Sequence, residues 1–528
     1  DYIVVGAGTA GCLLANRLSK NPQHRVLLLE AGGNDNYIWF HIPVGYLFLI
    51  GNPRADWLFK TEPSPGLNGR SLLYPRGKVL GGCSAINGMI YMRGQAQDYD
   101  RWAQAGLPGW GWDDVLPYFL RHEDHYTGGG PLHGGGGELR VEQQRLKWDI
   151  LDRFRDACAQ NGIPKVDDFN LGDNEGSSYF QVNQKRGLRW SAARGFLDPI
   201  RKRPNLTILT KAEATRILFE GKRAVGLEFR HGATLTTATA RKKVVLAAGA
   251  VATPKLLMLS GIGDGAALQH HGIETRHHNA SVGKNLQDHL QLRPIYKVEN
   301  ARTLNGDYRN LFKRALMGVD FALRRKGPLT MAPSQLGVFA KSSSRFETAN
   351  LEFHVQPLSL EKFGEGLHPF PAITASVCNL RPTSTGEIRL GSADPFAAPL
   401  IDPNYLATEE DRAVAVDSLK LVRRIVSAPA LAPFNPREYK PGAHITSDEE
   451  IATAAGDVGT TIFHPVGTAK MGPAHESTAV VDPRLNVIGI DGLVVADASV
   501  MPSITSGNTN APVLMIAEKA SEMMLSET

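Results

Sequence analysis

Three glycines and one carboxylate near the start of the chain have the types and spacing to hold a phosphorylated ligand. Gly6-Ala7-Gly8-Thr9-Ala10-Gly11 spells GxGxxG, and Glu30 lies 19 residues past Gly11. Gly6 permits a tight turn, Gly8 lets a pyrophosphate approach the backbone, and Gly11 lets a helix pack on a strand. A helix that begins here turns free N–H groups and its positive end toward phosphate oxygens. The Glu30 carboxylate can accept from ribose hydroxyls and would repel a 2′-phosphate, which disfavours NADP. The second chemical candidate is His464, in Thr461-Ile462-Phe463-His464-Pro465-Val466-Gly467. An imidazole suits a general base because its ordinary pKa lies near neutrality. Pro465 restricts His464 to extended or turn backbone, and Gly467 allows close approach. By itself, a histidine before proline is an ordinary loop residue more often than a base.

The elements around the first motif are those its chemistry requires. Residues 2–5 are an apolar run, glycines follow, and 11–18 are apolar-periodic. A second apolar run, 25–29, ends at Glu30. Strand, turn, helix and strand make a βαβ unit, which predicts an α/β domain with a parallel sheet. In that context the glycines predict a dinucleotide site, without separating FAD from NAD. Glycines cluster again at 77–88 and at 128–137, the latter predicted to be a flexible surface loop. Residues 205–227 read as short strands with a turn near Glu220-Gly221. Buried strands are predicted at 243–247 and 492–495, and helices at 409–426 and 509–524.

Bulk properties narrow the function classes. A chain of 528 residues is long enough for two domains or one large composite. Hydrophobic residues at 42% and charged residues at 21% are an ordinary globular mix. A formal net charge of +5, with no basic run longer than Arg201-Lys202-Arg203 or Arg241-Lys242-Lys243, argues against nucleic acid. The four cysteines are widely spaced and form no CxxC pair, so neither a disulfide framework nor a metal site is expected. The sixteen histidines are dispersed and include no HExxH. No apolar stretch is long enough for a transmembrane segment. The expected location is cytoplasmic, with peripheral membrane association left open, as is removal of a leader peptide.

Four further motifs carry a family resemblance. They are Gly77-Lys78-Val79-Leu80-Gly81-Gly82-Cys83-Ser84-Ala85-Ile86-Asn87-Gly88, the run 249–263 (GAVATPKLLMLSGIG), Val282-Gly283-Lys284-Asn285-Leu286-Gln287-Asp288-His289, and the C-terminal pair HPVGTAKMG and ADASVMP…GNTNAP. Over essentially its whole length the chain resembles the glucose–methanol–choline (GMC) oxidoreductases, and within them the bacterial alcohol and choline dehydrogenase branch. The resemblance implies FAD rather than NAD, and the glycines agree, since they let backbone approach an isoalloxazine ring. It implies Asn87 and Gly88 near the ring, Arg76 near the phosphate end, Gly249 on the adenosine side, and Asp497-Ala498 at the second phosphate and ribityl chain. It extends the cofactor contacts to Ala31, Val79, Gly81, Gly82, Met89 and Thr509. Ala214 either presents backbone to adenine or is a plain strand residue. Some relatives attach flavin through a histidine where this chain has Ile86, so non-covalent FAD is expected.

The same resemblance implies oxidation of a primary alcohol to the aldehyde, with His464 as general base and hydride passing to flavin N5. Asn508, 44 residues after His464, matches a position held by His or Asn in the family. Asn cannot be a base near neutral pH, so its amide would bind or orient the substrate oxygen or the cofactor. An asparagine turn is the plain alternative. His289 is read as framework. His354, in an alternating strand pattern, either lines the substrate cavity or faces the polar side of its sheet. Ile462 is expected beside flavin C4a. Oxygen or a quinone-type acceptor would take the electrons, and the modest aromatic content suggests no aromatic cage. A hydroxynitrile lyase on the same scaffold is the alternative activity. The expected fold is α/β: a Rossmann-like FAD-binding domain assembled from discontinuous segments, 1–155, 190–293 and 481–528. A substrate-binding α+β domain, 156–189 and 294–480, would present an antiparallel sheet flanked by helices, with His464 at the interface. A monomer or homodimer is expected.

Overall fold

Strand β1 (Tyr2–Val5) is buried along its whole length, as a central parallel strand must be. The computed structural model describes residues 1–362 and 365–527. Residue 528, the expected end of the last cofactor segment, and residues 363–364 within the expected substrate domain lie outside the described residues. From β1 the chain turns at Gly6 into helix α1 (Thr9–Leu18) and returns as β2 (Val26–Glu30). β1 lies between β2 and the strand Lys243–Leu246. Leu206–Thr210 extends the sheet beyond β2, and Leu493–Val495 extends it on the other side. All four pairings are parallel. The strand order therefore reverses direction at β1, and ligands bind at the carboxyl ends of such strands. An antiparallel three-stranded sheet, Ala212–Glu220, Arg223–His231 and Thr234–Thr239, follows the sheet's edge.

Gly11 shows why the α1 glycine is needed. A Cβ there would stand 1.8 Å from the Gly6 carbonyl oxygen, so only hydrogen fits between helix and turn. Helix Gly249–Leu259 starts just past Lys243–Leu246 and contains Pro254. Proline cannot donate to the carbonyl four residues back. That carbonyl, of Ala250, accepts instead from the Thr468 hydroxyl at 2.6 Å, which repairs the loss.

A second sheet of eight strands is antiparallel throughout. Its central strands, Leu336–Ala340, Leu351–Gln356 and Ala372–Asn379, are buried on both faces, so of the two places open to His354 a solvated polar side is excluded. Helices Asp149–Gln160 and Glu409–Val426 pack their apolar stripes against it, Leu151 and Phe154 from one and Leu419, Val422 and Ile425 from the other. A larger apolar core surrounds the parallel sheet. The strands Leu290–Leu292 and Gly459–Thr461 pair with each other, and so deliver Asp288, His289 and His464 to one place.

The glycine run 128–137 lies at the surface as expected, with 128–131 and 135–136 exposed, but its middle is held. His133 is held between Glu123 and Asp168, at 3.3 and 3.0 Å, and buried Gly134 donates to Glu123 at 2.6 Å. Glu123 and Asp168, both outside the run, pin it at His133 and Gly134, which composition alone does not reveal.

Candidate active site

A cleft of about 310 Å³ runs from the carboxyl ends of the parallel strands to the antiparallel sheet. Its two ends are built differently. At the first, Gly6, Gly8, Thr9, Ala10, Glu30, Ala31, Ala214 and Gly249 line the wall. No side chain caps the start of α1, so its first-turn N–H groups remain available. A Cβ on Gly8 would be 4.0 Å from the nearest protein atoms, and one on Gly249 would meet nothing within 4 Å. Gly82 lies against Gly8 so closely that a Cβ would come within 2.6 Å of the Gly8 Cα. This is a bare backbone cradle, and it fits the pyrophosphate and adenosine of FAD. Gly11, Val79 and Gly81 stand behind the wall rather than on it. Val79 is fully buried, and Gly81 N–H donates to the Ala7 carbonyl at 2.8 Å.

Glu30 accepts from Ala7 N–H at 2.9 Å and Gly32 N–H at 2.7 Å. Burial pushes its pKa up to about 7 against the pull of those donors. Each oxygen keeps a lone pair for a ribose hydroxyl. Thr9 is tied to the C-terminal helix, its hydroxyl donating to Asn510 at 2.8 Å. The Asp497 carboxylate is spent within the protein. It accepts from Gly249 N–H and the Thr253 hydroxyl through one oxygen, and from Ser499 N–H and hydroxyl through the other, all between 2.6 and 2.8 Å. Asp497 thus braces the helix start at Gly249, leaving backbone rather than carboxylate to face the cleft.

At the other end, Asn87, Gly88, Met89, Ala498, Asn508, Thr509 and His464 line the wall, with Ile462 and His354. Asn87 Oδ1 accepts from Met89 N–H and from buried Arg189, both at 2.9 Å, and Met89 takes φ +62° as the chain turns. Tyr46, Trp57, Phe59 and Phe463 also line the cleft, an aromatic content that overall composition did not disclose. Arg76, expected at the phosphate end, is instead at this one. It donates to the Phe463 carbonyl at 2.7 Å, beside His464. Its sequence neighbour Tyr74 explains the displacement, because both are drawn into the network around Asp288.

Asp288 organises that network. One oxygen accepts from the hydroxyls of Tyr74, Tyr405 and Thr461, and the other from the His464 backbone N–H at 2.7 Å. Burial and the adjoining carboxylate hold both tyrosines far above their usual pKa, so they remain donors. Phe463 takes φ +72°, costly for a large side chain, and its N–H is held by the Thr461 hydroxyl at 2.8 Å. The strained turn aims His464 into the cleft.

The proton positions on His464 follow from its partners. His289 Nε2 is 3.1 Å from the Leu380 carbonyl, which can only accept, so Nε2 carries hydrogen. Neutral His289 then accepts at Nδ1, 3.1 Å from His464 Nδ1, which must donate. The lone pair of His464 is left at Nε2, where Asn508 Nδ2 donates at 3.0 Å. Burial, then His289, His354 and Arg76, lower the His464 pKa well below its ordinary value, which keeps the ring neutral. Burial lowers that of His289 too. His289, read from sequence as framework, therefore touches His464 directly. Glu352 and Cys378 lie near enough to His289 for a metal cluster, within 4.8 Å, but both ring nitrogens of His289 are already engaged. The signal that could have found this role is the adjacency of Asp288 and His289, one holding the His464 backbone and the other its ring.

A dinucleotide cradle joined to a buried neutral imidazole defines a flavin- or nicotinamide-type oxidoreductase site. Comparison with known proteins narrows this. GMC oxidoreductase family models match residues 1–291 and 382–517. The chain is 43% identical to alcohol dehydrogenase (acceptor) of Pseudomonas putida, over 99% of this chain and 95% of that one. It is 39% identical to oxygen-dependent choline dehydrogenase of Brucella suis biovar 1, over 100% and 96%. Among solved structures it superposes on pyridoxine 4-oxidase from Mesorbium loti with a TM-score of 0.90 at 32% identity, covering 99% and 98% of the two chains. It superposes on an FAD-dependent oxidoreductase from Chaetomium thermophilum with a TM-score of 0.91 at 28% identity, covering 100% and 99%. The chain belongs to the GMC oxidoreductase family, in its alcohol and choline dehydrogenase branch. The family is FAD-dependent, as the Chaetomium thermophilum neighbour is by name, and FAD is the cofactor the cradle fits.

Proposed function

We propose that the chain oxidises a primary alcohol to the aldehyde, with FAD held non-covalently and His464 as the general base. One observation carries this reading: the hydrogen-bond chain Leu380–His289–His464–Asn508 leaves the lone pair of a neutral imidazole at Nε2, on the cleft. An alcohol entering the cleft takes the place of the Asn508 donor and gives its hydroxyl proton to Nε2. Asn508 then donates to the developing alkoxide, which stabilises it as charge forms. His289 holds the ring in this tautomer, and Asp288 holds the backbone beneath it. FAD, when bound, supplies the hydride acceptor. Gly6, Gly8, Glu30 and Gly249 would hold its adenosine and pyrophosphate, and Asn87 to Met89 with Ala498 its flavin end. Ile86 offers no nucleophile for covalent attachment.

The names of the relatives support an alcohol substrate, and both oxygen and a quinone- or dye-type acceptor are in keeping with them. We assign cofactor binding to 1–155, 190–293 and 481–528 and substrate binding to 156–189 and 294–480. Separate cores around the two sheets support a two-part division, although helix Asp149–Gln160 and strand Leu290–Leu292 pack with the antiparallel sheet and Val466 to Met471 with the parallel one. The test is anaerobic addition of a panel of alcohols to the purified yellow protein. Bleaching by a primary alcohol, abolished in His464→Ala, is expected; release of the flavin by acid precipitation is expected to be complete. Cyanohydrin cleavage without bleaching by any alcohol would overturn the reading in favour of a lyase. Reoxidation by air or only by dye then identifies the acceptor class.

A further inference from the structure

Helix Leu311–Arg324 is amphipathic, but it faces the wrong way for a helix that completes a core. Of its 14 residues only Phe321 is buried. At 100° per residue, Phe312, Leu316, Val319 and Leu323 fall on the side opposite Phe321, with Leu311 about 80° from it at the helix start. In chain order from Leu311 they are 75%, 72%, 50%, 54% and 79% exposed. Four large apolar side chains on one outward face, with exposed Leu311 beside them, exceed the scattered single exposures that a protein surface ordinarily carries.

The charge around this face says what covers it. Residues 309–326 hold six cations, Arg309, Lys313, Arg314, Arg324, Arg325 and Lys326, against one carboxylate, Asp320. Lys313 pairs with Asp307, and Arg324 stands 3.8 Å from Asp320. Arg314 and Arg325 lie over the rings of Tyr308 and Phe321 rather than against carboxylates. An apolar stripe on a helix whose charges are almost all arginine and lysine is the pattern of a helix lying in the plane of an anionic bilayer surface. No helix among the described residues is long and apolar enough to cross a membrane. A second copy of the chain is less suited, because two such faces would bring their cations together.

We propose that Leu311–Arg324 docks this protein on anionic membranes by inserting its apolar stripe among the headgroups. The helix runs into the turn Pro328–Thr330, which packs on Pro43–Gly45. Tyr46 and Pro333, just beyond these turns, line the cleft. Docking therefore sets the bilayer near the cleft's substrate end, where an apolar alcohol or acceptor dissolved in lipid can reach it. The docking itself does not depend on the chemistry at His464.

The test is flotation of the full chain with vesicles of phosphatidylcholine, with or without about one-third phosphatidylglycerol, at about 0.15 M salt. The chain is expected to float with the anionic vesicles and not with the neutral ones. Leu316→Asp with Leu323→Asp is expected to weaken this at least roughly ten-fold, and Arg314→Glu with Arg325→Glu by roughly five-fold or more. Circular dichroism and bound-flavin absorbance, unchanged in both variants, establish that they are folded. Failure of the native chain to float overturns the proposal, as does flotation equal in native and variants. So does a native dimer that Leu316→Asp dissociates without any vesicle binding, which would assign the face to a second copy.

Discussion

The two ends of the cleft are built on opposite plans. The nucleotide end comes from neighbours in sequence: β1, the Gly6 turn, α1 and β2 lie within residues 2–30 and present bare backbone. The reaction end comes from side chains that are far apart in the chain. Tyr74, Asp288, His289, Leu380, Tyr405, Thr461, His464 and Asn508 meet only through the eight-stranded sheet and its connections. Even their buried carboxylates differ in task. Asp497 pins the start of a helix, whereas Asp288 pins a strained turn and two tyrosines. A phosphate needs only N–H groups in a curved backbone, which local sequence can provide. A base needs a chosen tautomer in a dry setting, which takes partners from several elements.

The largest expected effect tests the reaction end. His464→Ala should lower kcat by roughly 10²–10⁴ while flavin absorbance is retained. Loss of flavin along with activity would break the separation of the two ends. Glycine replacements sharpen the contrast at the other end. Gly11→Ala drives a Cβ to 1.8 Å from backbone and should abolish or cripple folding, seen as insoluble or low-melting protein. Gly8→Ala has 4.0 Å of clearance from protein atoms, so it should fold and lose FAD, read from the absorbance of the purified protein.

Asn508→Ala removes a single donor and should cost about 10–100-fold in kcat/KM, in keeping with one hydrogen bond to developing charge. An undiminished kcat/KM would return Asn508 to a turn residue. The smallest effect is in pH. The folded pKa of His464 lies below the 6.5 of the unfolded chain. As pH falls below about 6.5, the unfolded chain takes up the proton first, so this group's contribution to stability declines toward acid and is fully present above 6.5. The acid limb of kcat/KM should therefore also lie below 6.5, and a limb above that value would show that His464 is less secluded than its burial indicates.

Much of the nucleotide end was legible because its signals are local. GxGxxG, the apolar periods of 2–5 and 11–18, and Glu30 at the strand end are all read within one βαβ unit. The helix Glu409–Val426 was legible for the same reason, with Thr408 capping it and acids in its first turn. The misplacement of Arg76 had the opposite cause. Its motif lies beside the glycine loop in sequence, but its bond to the Phe463 carbonyl depends on a partner 387 residues away. The two readings open for His354 were separated only by tertiary structure, since alternation suits a half-buried strand, whereas this one is buried on both faces and His354 lines the cleft.

By itself, then, the sequence determined the cofactor class, the strand–helix–strand frame of its adenosine end and the identity of the candidate base. Backbone cradles and family motifs are written in adjacent residues, so they survive without coordinates. Only the tertiary structure decided which nitrogen of His464 is free, because that depends on a carbonyl at Leu380 and a ring at His289 brought together by sheet pairing. Only the structure showed that Asp497 is spent internally. It alone turned the apolar stripe of Leu311–Arg324 outward, since a helical period reveals that a face is apolar but not what it faces.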